Sequence, residues 1–319
     1  MCHFFVDFQR ENAILEIGSF VYNLFIQLGE SEILKEMNCK AFAKINLGLD
    51  VTGVREDGYH LVKMVMESIN LYDQVRIKIS DQPEVRVSTN LYYLPTNKKN
   101  IAYQAATMLL EEFGIKEGLE ISLRKHIPVA AGLAGGSSNG AAVLKGVNQL
   151  FDLGLSKNEL MERGLKLGAD VPYCIMGGAA LATGIGEELK SLPPLPKCHI
   201  LLAKLPFSVS TKEVYKAIDE LETLNHPRID QIVEGLQEGS LKKVAQSMGN
   251  VLEEVTIPKH PRIQTIKEEM MKLGALGAMM SGSGPTVFGL FESRDEAIYA
   301  KKKMEKIPFK MQIYLSRTL

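Results

Sequence analysis

Four cysteines in 319 residues, Cys2, Cys39, Cys174 and Cys198, stand far apart with no CxxC pair and no matching histidine spacing. That scarcity argues against structural zinc and points to a reduced, cytoplasmic interior. Neither charge is in excess. With 37 basic and 38 acidic side chains the formal net charge is -1, which excludes the broad basic face that duplex nucleic acid requires and leaves any anionic ligand to a local site. No long apolar run is present: the best candidate, within residues 1–36, is interrupted by Glu16 and Asn23 and is too short to span a bilayer. There is no internal repeat and no low-complexity tract. What the chain does have is 45% apolar and 7% aromatic residues, enough for a sizeable core, and a length that suggests two domains.

Residues 1–36 carry six acidic side chains against Arg10 and Lys35, which fits neither a secretory signal nor a transit peptide. Ile14, Ile17, Val21, Leu24 and Leu28 fall at helical spacing, so one reading is an amphipathic helix packed on the body or on a partner. The other is that Met37 is the true start.

From Cys39 onward strands and helices alternate. "AKINLGLDV" places Ile45, Leu47, Leu49 and Val51 on one face and Lys44, Asn46, Gly48 and Asp50 on the other, a strand with a polar working face. Strands are also predicted at 75–79 and 119–125. Asn100 is placed to cap a helix running to Phe113. A helix is predicted from about Ser137 to Leu150, and another opened by the pair Ser156 and Glu159 and closed by Gly168. "LPPLPK" at 192–197, with three prolines in four residues, is the expected domain boundary. This gives an extension over 1–36, a first domain over 37–196 and a second over 197–319. In the last, Ser210 with Glu213 and Ser293 with Glu296 should cap helices, and "TVFGLF" and "MQIYL" should be strands.

"PVAAGLAGGSSNGAAVL" at 128–144 is the stretch richest in chemistry. It has no lysine after its glycines, as a P-loop would, and Leu133-Ala134 breaks a dinucleotide fingerprint. Gly132, Gly135 and Gly136 let backbone approach a ligand closely, and Ser137 and Ser138 stand where a helix begins, with free N–H groups suited to an anion. Alone, the stretch also fits a glycine-rich turn before a tightly packed alanine-rich helix. "SGSGPTVF" at 281–288 has the composition of a tight turn. "GADVP" at 168–172 holds a carboxylate, Asp170, that could be an ordinary turn residue, and Lys44 by default is a solvated charge.

The order of these signals, Lys44, "GYH" at 58–60, Asn100, Lys125, the glycine loop, "GADVP", "STKEVY" and "SGSGPTVF", resembles the GHMP small-molecule kinases over about residues 38–318. "AKINLGLDVTGVREDGYH" is most similar to the branch whose acceptor is a cytidine diphosphate ester of methylerythritol. The resemblance implies an α+β protein of two domains, ribosomal-S5-like then ferredoxin-like, with the active site in the cleft between them. It implies transfer of the ATP γ-phosphoryl group to the 2-hydroxyl of the methylerythritol unit in non-mevalonate isoprenoid synthesis, with Mg²⁺. Asp170 is then the residue that accepts the hydroxyl proton, Lys44 its neighbour, and Asn46 a holder of the sugar. Asn100 and Lys125 are expected near the adenosine, and Pro128, Ala130, Ala131, Gly132, Leu133, Ala134, Gly135, Gly136, Ser137, Ser138 and Asn139 around the phosphates. Ser138 is the hydroxyl expected nearest phosphate or metal, with no fixed set of protein metal ligands. Tyr59, His60 and Tyr215, with Thr211 beside them, resemble a cytosine pocket. The small-molecule substrate, without nucleic acid or membrane, goes with a monomer or weak homodimer. Ala131 and Ala134 stand where many members have glycine. A different GHMP kinase, a silent binding module and an RNA-binding S5-like domain remain as alternatives.

Overall fold

Residues 35–319 are described by the computed structural model; the stripe from Ile14 to Leu28 lies outside them. Chain order is β1 (Glu36–Val54), β2 (His60–Ser80), β3 (Val85–Thr89), α1 (Ile101–Glu112), β4 (Gly118–Arg124), α2 (Gly135–Leu150), α3 (Lys157–Leu165), α4 (Asp170–Met176), β5 (Ala179–Thr183) and β6 (Glu188–Ser191). There follow β7 (His199–Lys204), α5 (Thr211–Ile218), α6 (Ile229–Gln237), α7 (Leu241–Ser247), β8 (Gly249–Asn250), α8 (Glu253–Lys259), α9 (Arg262–Lys272), β9 (Gly277–Met280), β10 (Thr286–Phe291), α10 (Arg294–Met304) and β11 (Gln312–Arg317).

The strands form a seven-stranded sheet with the path β3-β4-β2-β1-β8, in which β5 also pairs with β2 and β6 with β5, and a four-stranded sheet in the order β11-β7-β10-β9. The mixed α+β class holds. The second sheet opens at His199, just past the proline-rich stretch, yet β8 returns to pair in parallel with β1 at Gly48 and Leu49. Residues Met37–Leu319 form one compact unit. One core cluster joins Leu49, Val51 and Met66 of the large sheet to Leu201, Val287 and Phe291 of the small one. The halves therefore share apolar surface as well as a strand.

The caps read from the sequence are in place. Asn100 accepts from the Ala102 N–H at 2.9 Å, and both Ser156–Glu159 and Ser293–Glu296 close reciprocal capping boxes, satisfying N–H groups a helix start leaves free. α3 ends at Leu165, its C-cap being Lys166, so Gly168 lies two residues beyond the cap. α2 begins at Gly135, two residues before the predicted start.

The polar face of β1 is not turned to water. Lys44 is 5% exposed and Asn46 fully buried, so the default of a solvated lysine fails: on that face Gly48 lies under Ile229 and Ile232 of α6 and Gly282 comes near Asn46, while the Lys44 N–H donates to the Leu133 carbonyl at 3.2 Å.

Candidate active site

Lys44 donates its ammonium to Asn46 Oδ1 at 2.6 Å, and Asn46 Nδ2 points at the Met64 sulfur at 3.5 Å. Asp170 is the first residue of α4. The charges of Lys44 and Asp170 both reach the Cys174 thiol: burial and then Asp170 push that thiol up to about 12, while Lys44 pulls it down. The Tyr215 ring is half-buried, and its phenol is pushed up to about 12 by burial and then by the charge of Asp170.

The glycine loop runs into α2 without a side-chain cap. Ala134 is the N-cap at φ 55, with no side-chain hydrogen bond to the first turn, and the first helical bond there is from Ser138 N–H to the Ala134 carbonyl at 2.8 Å. The N–H groups just ahead of it are left for a ligand. Gly136 is exposed and Ser137 half-buried. A methyl group at Gly136 would meet Ile101 at 3.7 Å, ordinary contact, so this part of the helix start is open. Ala130 at φ 50 and Ala134 hold left-handed backbone that glycine would adopt without strain. Pro128, Ala131 and Leu133 are buried and anchor the loop.

Ser138 is 2% exposed and gives its hydroxyl to the Phe42 carbonyl at 2.5 Å, with the Cys174 sulfur at 3.3 Å. It faces β1, and Ser137 is the hydroxyl at the open helix start. Lys125 and Asn139 likewise turn inward. Both bind Asp73, a fully buried residue of β2 that the sequence reading missed: the Lys125 ammonium pairs with its carboxylate, Asn139 Nδ2 donates to it at 2.9 Å, and the N–H groups of His126 and Ile127 donate to it at 2.6 and 2.8 Å. Lys125 also donates to Asn139 Oδ1 at 2.7 Å and to the Gly135 carbonyl at 3.3 Å. Burial pulls its ammonium down from the ordinary lysine range, against the raising charge of Asp73. The strand end before the loop and the start of α2 are thereby tied to one carboxylate. Asn100, spent on its cap and on the Pro95 carbonyl at 2.7 Å, fixes the neighbouring helix start.

Across the site the turn at 281–285 packs directly on the glycine loop. A Cβ built on Gly132, at φ 73, would lie 2.1 Å from the Ser281 carbonyl oxygen, so only glycine permits the approach. Ser281 Oγ donates to the Gly132 carbonyl at 3.0 Å. Asn250, also missed from sequence, donates to the Met280 and Gly282 carbonyls at 2.8 Å each. Thr211 and Ser283 share a hydroxyl bond of 2.9 Å, which seats the start of α5 on the same turn. From α5, Tyr215 packs tilted against His60, with ring centroids 4.8 Å apart and 37° between planes. Tyr59 is 58% exposed, its ring 5.6 Å from the Arg55 guanidinium.

The GHMP kinases N terminal domain model matches residues 100–178 and the GHMP kinases C terminal model residues 232–309. A 4-diphosphocytidyl-2-C-methyl-D-erythritol kinase of Lachnospira eligens is 48% identical over 285 residues, 89% of this chain and 99% of that protein. One of Clostridioides difficile is 52% identical over 268 residues, covering 84% and 90%. A crystal structure of 4-(cytidine 5'-diphospho)-2C-methyl-D-erythritol kinase superposes with a TM-score of 0.74 at 32% identity, covering 88% of this chain and 98% of that one. Matched by both family models and at this identity over nearly its relatives' whole length, the chain belongs to the GHMP kinases, in the 4-diphosphocytidyl-2-C-methyl-D-erythritol kinase family.

Proposed function

We propose that this small-molecule kinase transfers the γ-phosphoryl group of ATP to the 2-hydroxyl of 4-diphosphocytidyl-2-C-methyl-D-erythritol, as a cytoplasmic step of non-mevalonate isoprenoid synthesis. The observation that carries the reading is the uncapped start of α2 at Ala134 behind a glycine loop whose Leu133 carbonyl bonds the strand of the buried Lys44–Asn46 pair, in a chain 48% identical to a 4-diphosphocytidyl-2-C-methyl-D-erythritol kinase over 89% of its length.

Positioning and charge stabilisation dominate phosphoryl transfer. Asp170 accepts the proton of the attacking hydroxyl, while Lys44, held by Asn46, supplies positive charge beside the acceptor. Asn46, itself fully buried, serves the sugar from behind by holding the Lys44 ammonium. The uncapped start of α2 receives the ATP phosphates through the N–H groups of Gly135, Gly136 and Ser137, an anion site without a loop lysine. Asn100 and Lys125 border the adenosine side, Lys125 chiefly by bracing the loop through Asp73. A magnesium ion bound with the nucleotide would neutralise phosphate charge, and Ser137 would be the residue to hold it, since the Ser138 hydroxyl is committed to Phe42. Tyr59 and Tyr215 stack on the cytosine and His60 reads its edge.

The test is incubation of the purified chain with ATP, Mg²⁺ and the cytidine substrate, followed by phosphorus NMR. A new monoester resonance alongside ADP is the expected result. ADP formation that does not depend on the cytidine substrate, or no ADP at all, would refute it.

A further inference from the structure

His60 is held by a group that no part of the reading above uses. Its Nε2 lies 2.7 Å from Asp219 Oδ1, and Asp219 is the C-cap of α5, the helix that carries Tyr215. A carboxylate has no proton to donate, so the hydrogen of this bond sits on Nε2, and in the neutral imidazole the lone pair is left on Nδ1. Among the described residues Nδ1 makes no hydrogen bond. The ring is half-buried and lies against Tyr215, so Asp219 fixes its tautomer and its rotation while Tyr215 fixes its plane.

We infer that Asp219 is the residue that makes His60 specific for cytosine: it holds the ring as the Nε2–H tautomer, so that Nδ1 faces the base as an acceptor. This rests on the function proposed above. Cytosine presents an amino donor at position 4 and uracil a carbonyl acceptor. A bare Nδ1 lone pair accepts from the first and opposes the second, whereas an Nδ1–H would reverse the preference. Stacking on Tyr59 and Tyr215 treats both bases alike, since each has a π-face, so discrimination must come from the edge contact. A site built to pair one polar group rejects the analogue that leaves it unpaired or opposed. Asp219 is a positioning residue: it acts through His60 and touches neither the reacting hydroxyl nor the nucleotide phosphates.

The experiment compares Asp219→Ala, Asp219→Asn and Asp219→Glu with the unaltered chain, using the cytidine substrate and its uridine counterpart at saturating ATP. Asp219→Ala should lower kcat/KM for the cytidine substrate by roughly 3- to 10-fold, through KM, and should narrow the cytidine-to-uridine ratio. Asp219→Asn, whose amide can donate to Nε2 and drive the proton to Nδ1, should narrow the ratio at least as far. Asp219→Glu keeps an acceptor and should recover part of it. Nitrogen NMR of the labelled histidines, with His60 assigned from a His60→Gln variant, should show the Nε2–H tautomer only while the carboxylate is present. A full cytidine preference in Asp219→Ala, or a His60 tautomer indifferent to Asp219, would overturn the assignment. If instead the unaltered chain does not phosphorylate the cytidine substrate, the function falls and this assignment with it, a result distinguishable from failure of the variants alone.

Discussion

Glu67 on β2 offers a test that depends on burial and not on catalysis. It is 3% exposed, and its Oε2 accepts from the Leu195 N–H at 3.2 Å, pinning the proline-rich stretch to the large sheet. Burial raises its carboxyl from 4.5 to about 7, the one hydrogen bond opposing. The folded chain therefore holds this proton more tightly than the unfolded chain. The associated stability is fully present below pH 4.5 and is lost as pH rises through about 7. At about 1.36 kcal/mol per pH unit the difference is worth roughly 3 kcal/mol, an upper figure because the site can relax or admit water. Glu67→Gln keeps a carbonyl oxygen for Leu195 and cannot ionise. It should match the unaltered chain near pH 4.5, and should exceed it progressively to about pH 8 by up to roughly 3 kcal/mol. Urea unfolding of both proteins at half-unit pH steps measures this. A stability gap that stays constant across the range would show that Glu67 takes up no extra proton on folding, and the reasoning from burial would be wrong.

Asp170→Asn should leave ATP affinity, read by calorimetry, nearly intact and lower kcat by roughly 10²- to 10⁴-fold, because the amide keeps the shape and cannot take the proton; single-turnover transfer within a few-fold of the original rate would refute the role. Lys125→Met should destabilise by about 3–5 kcal/mol, since it strands the buried Asp73 charge, and adding Asp73→Asn should restore a large part of the loss in denaturant titrations. Additive losses would mean that the two side chains do not act as a pair. Gly132→Ala should lose roughly 2 kcal/mol or more from left-handed strain and from overlap with the Ser281 carbonyl. It should weaken nucleotide binding as well, and an unchanged melting temperature would show that the two loops are not in contact.

What the sequence revealed, and what it hid, divides by the range of the interactions. Caps at Asn100, Ser156 and Ser293 were legible because donor and acceptor lie within three residues. β2 was read only at 75–79 because residues 64–69 are buried on both faces, which erases the period of two that marks a half-buried strand. The helices between Ile229 and Lys272 went unassigned; α6, α8 and α9 begin without a side-chain cap, so the sequence carries no start signal for them. Asp73 could not be found from spacing at all, since its partners Lys125 and Asn139 stand 52 and 66 positions away. Its single trace is an acidic residue inside an apolar strand, where aspartate is disfavoured. Lys44, Asp170 and the loop were recognisable as residue types in order, but the burial of Lys44 was not, because burial is decided by elements that return from far along the chain.

That distance has a mechanical consequence. The backbone freedom read at Gly132 is used first against the chain itself: the glycine admits the Ser281 carbonyl, and the Ser281 hydroxyl answers on the Gly132 carbonyl. Asn250 clamps the turn from the other side, and Ser283 joins it to Thr211 at the start of the helix that presents Tyr215 and Asp219. Loop, turn and α5 are therefore one hydrogen-bonded assembly, and the open start of α2 is positioned by residues more than a hundred places later in the chain. A phosphate-binding loop with its own lysine carries charge and geometry together. Here the loop has no such lysine, and its geometry depends on contact with Ser281 from the second half of the chain, so the first half alone does not hold the loop in place. Under the function proposed above, tying the helix start and the His60–Tyr215 pair to one turn reduces the ordering that binding must otherwise supply.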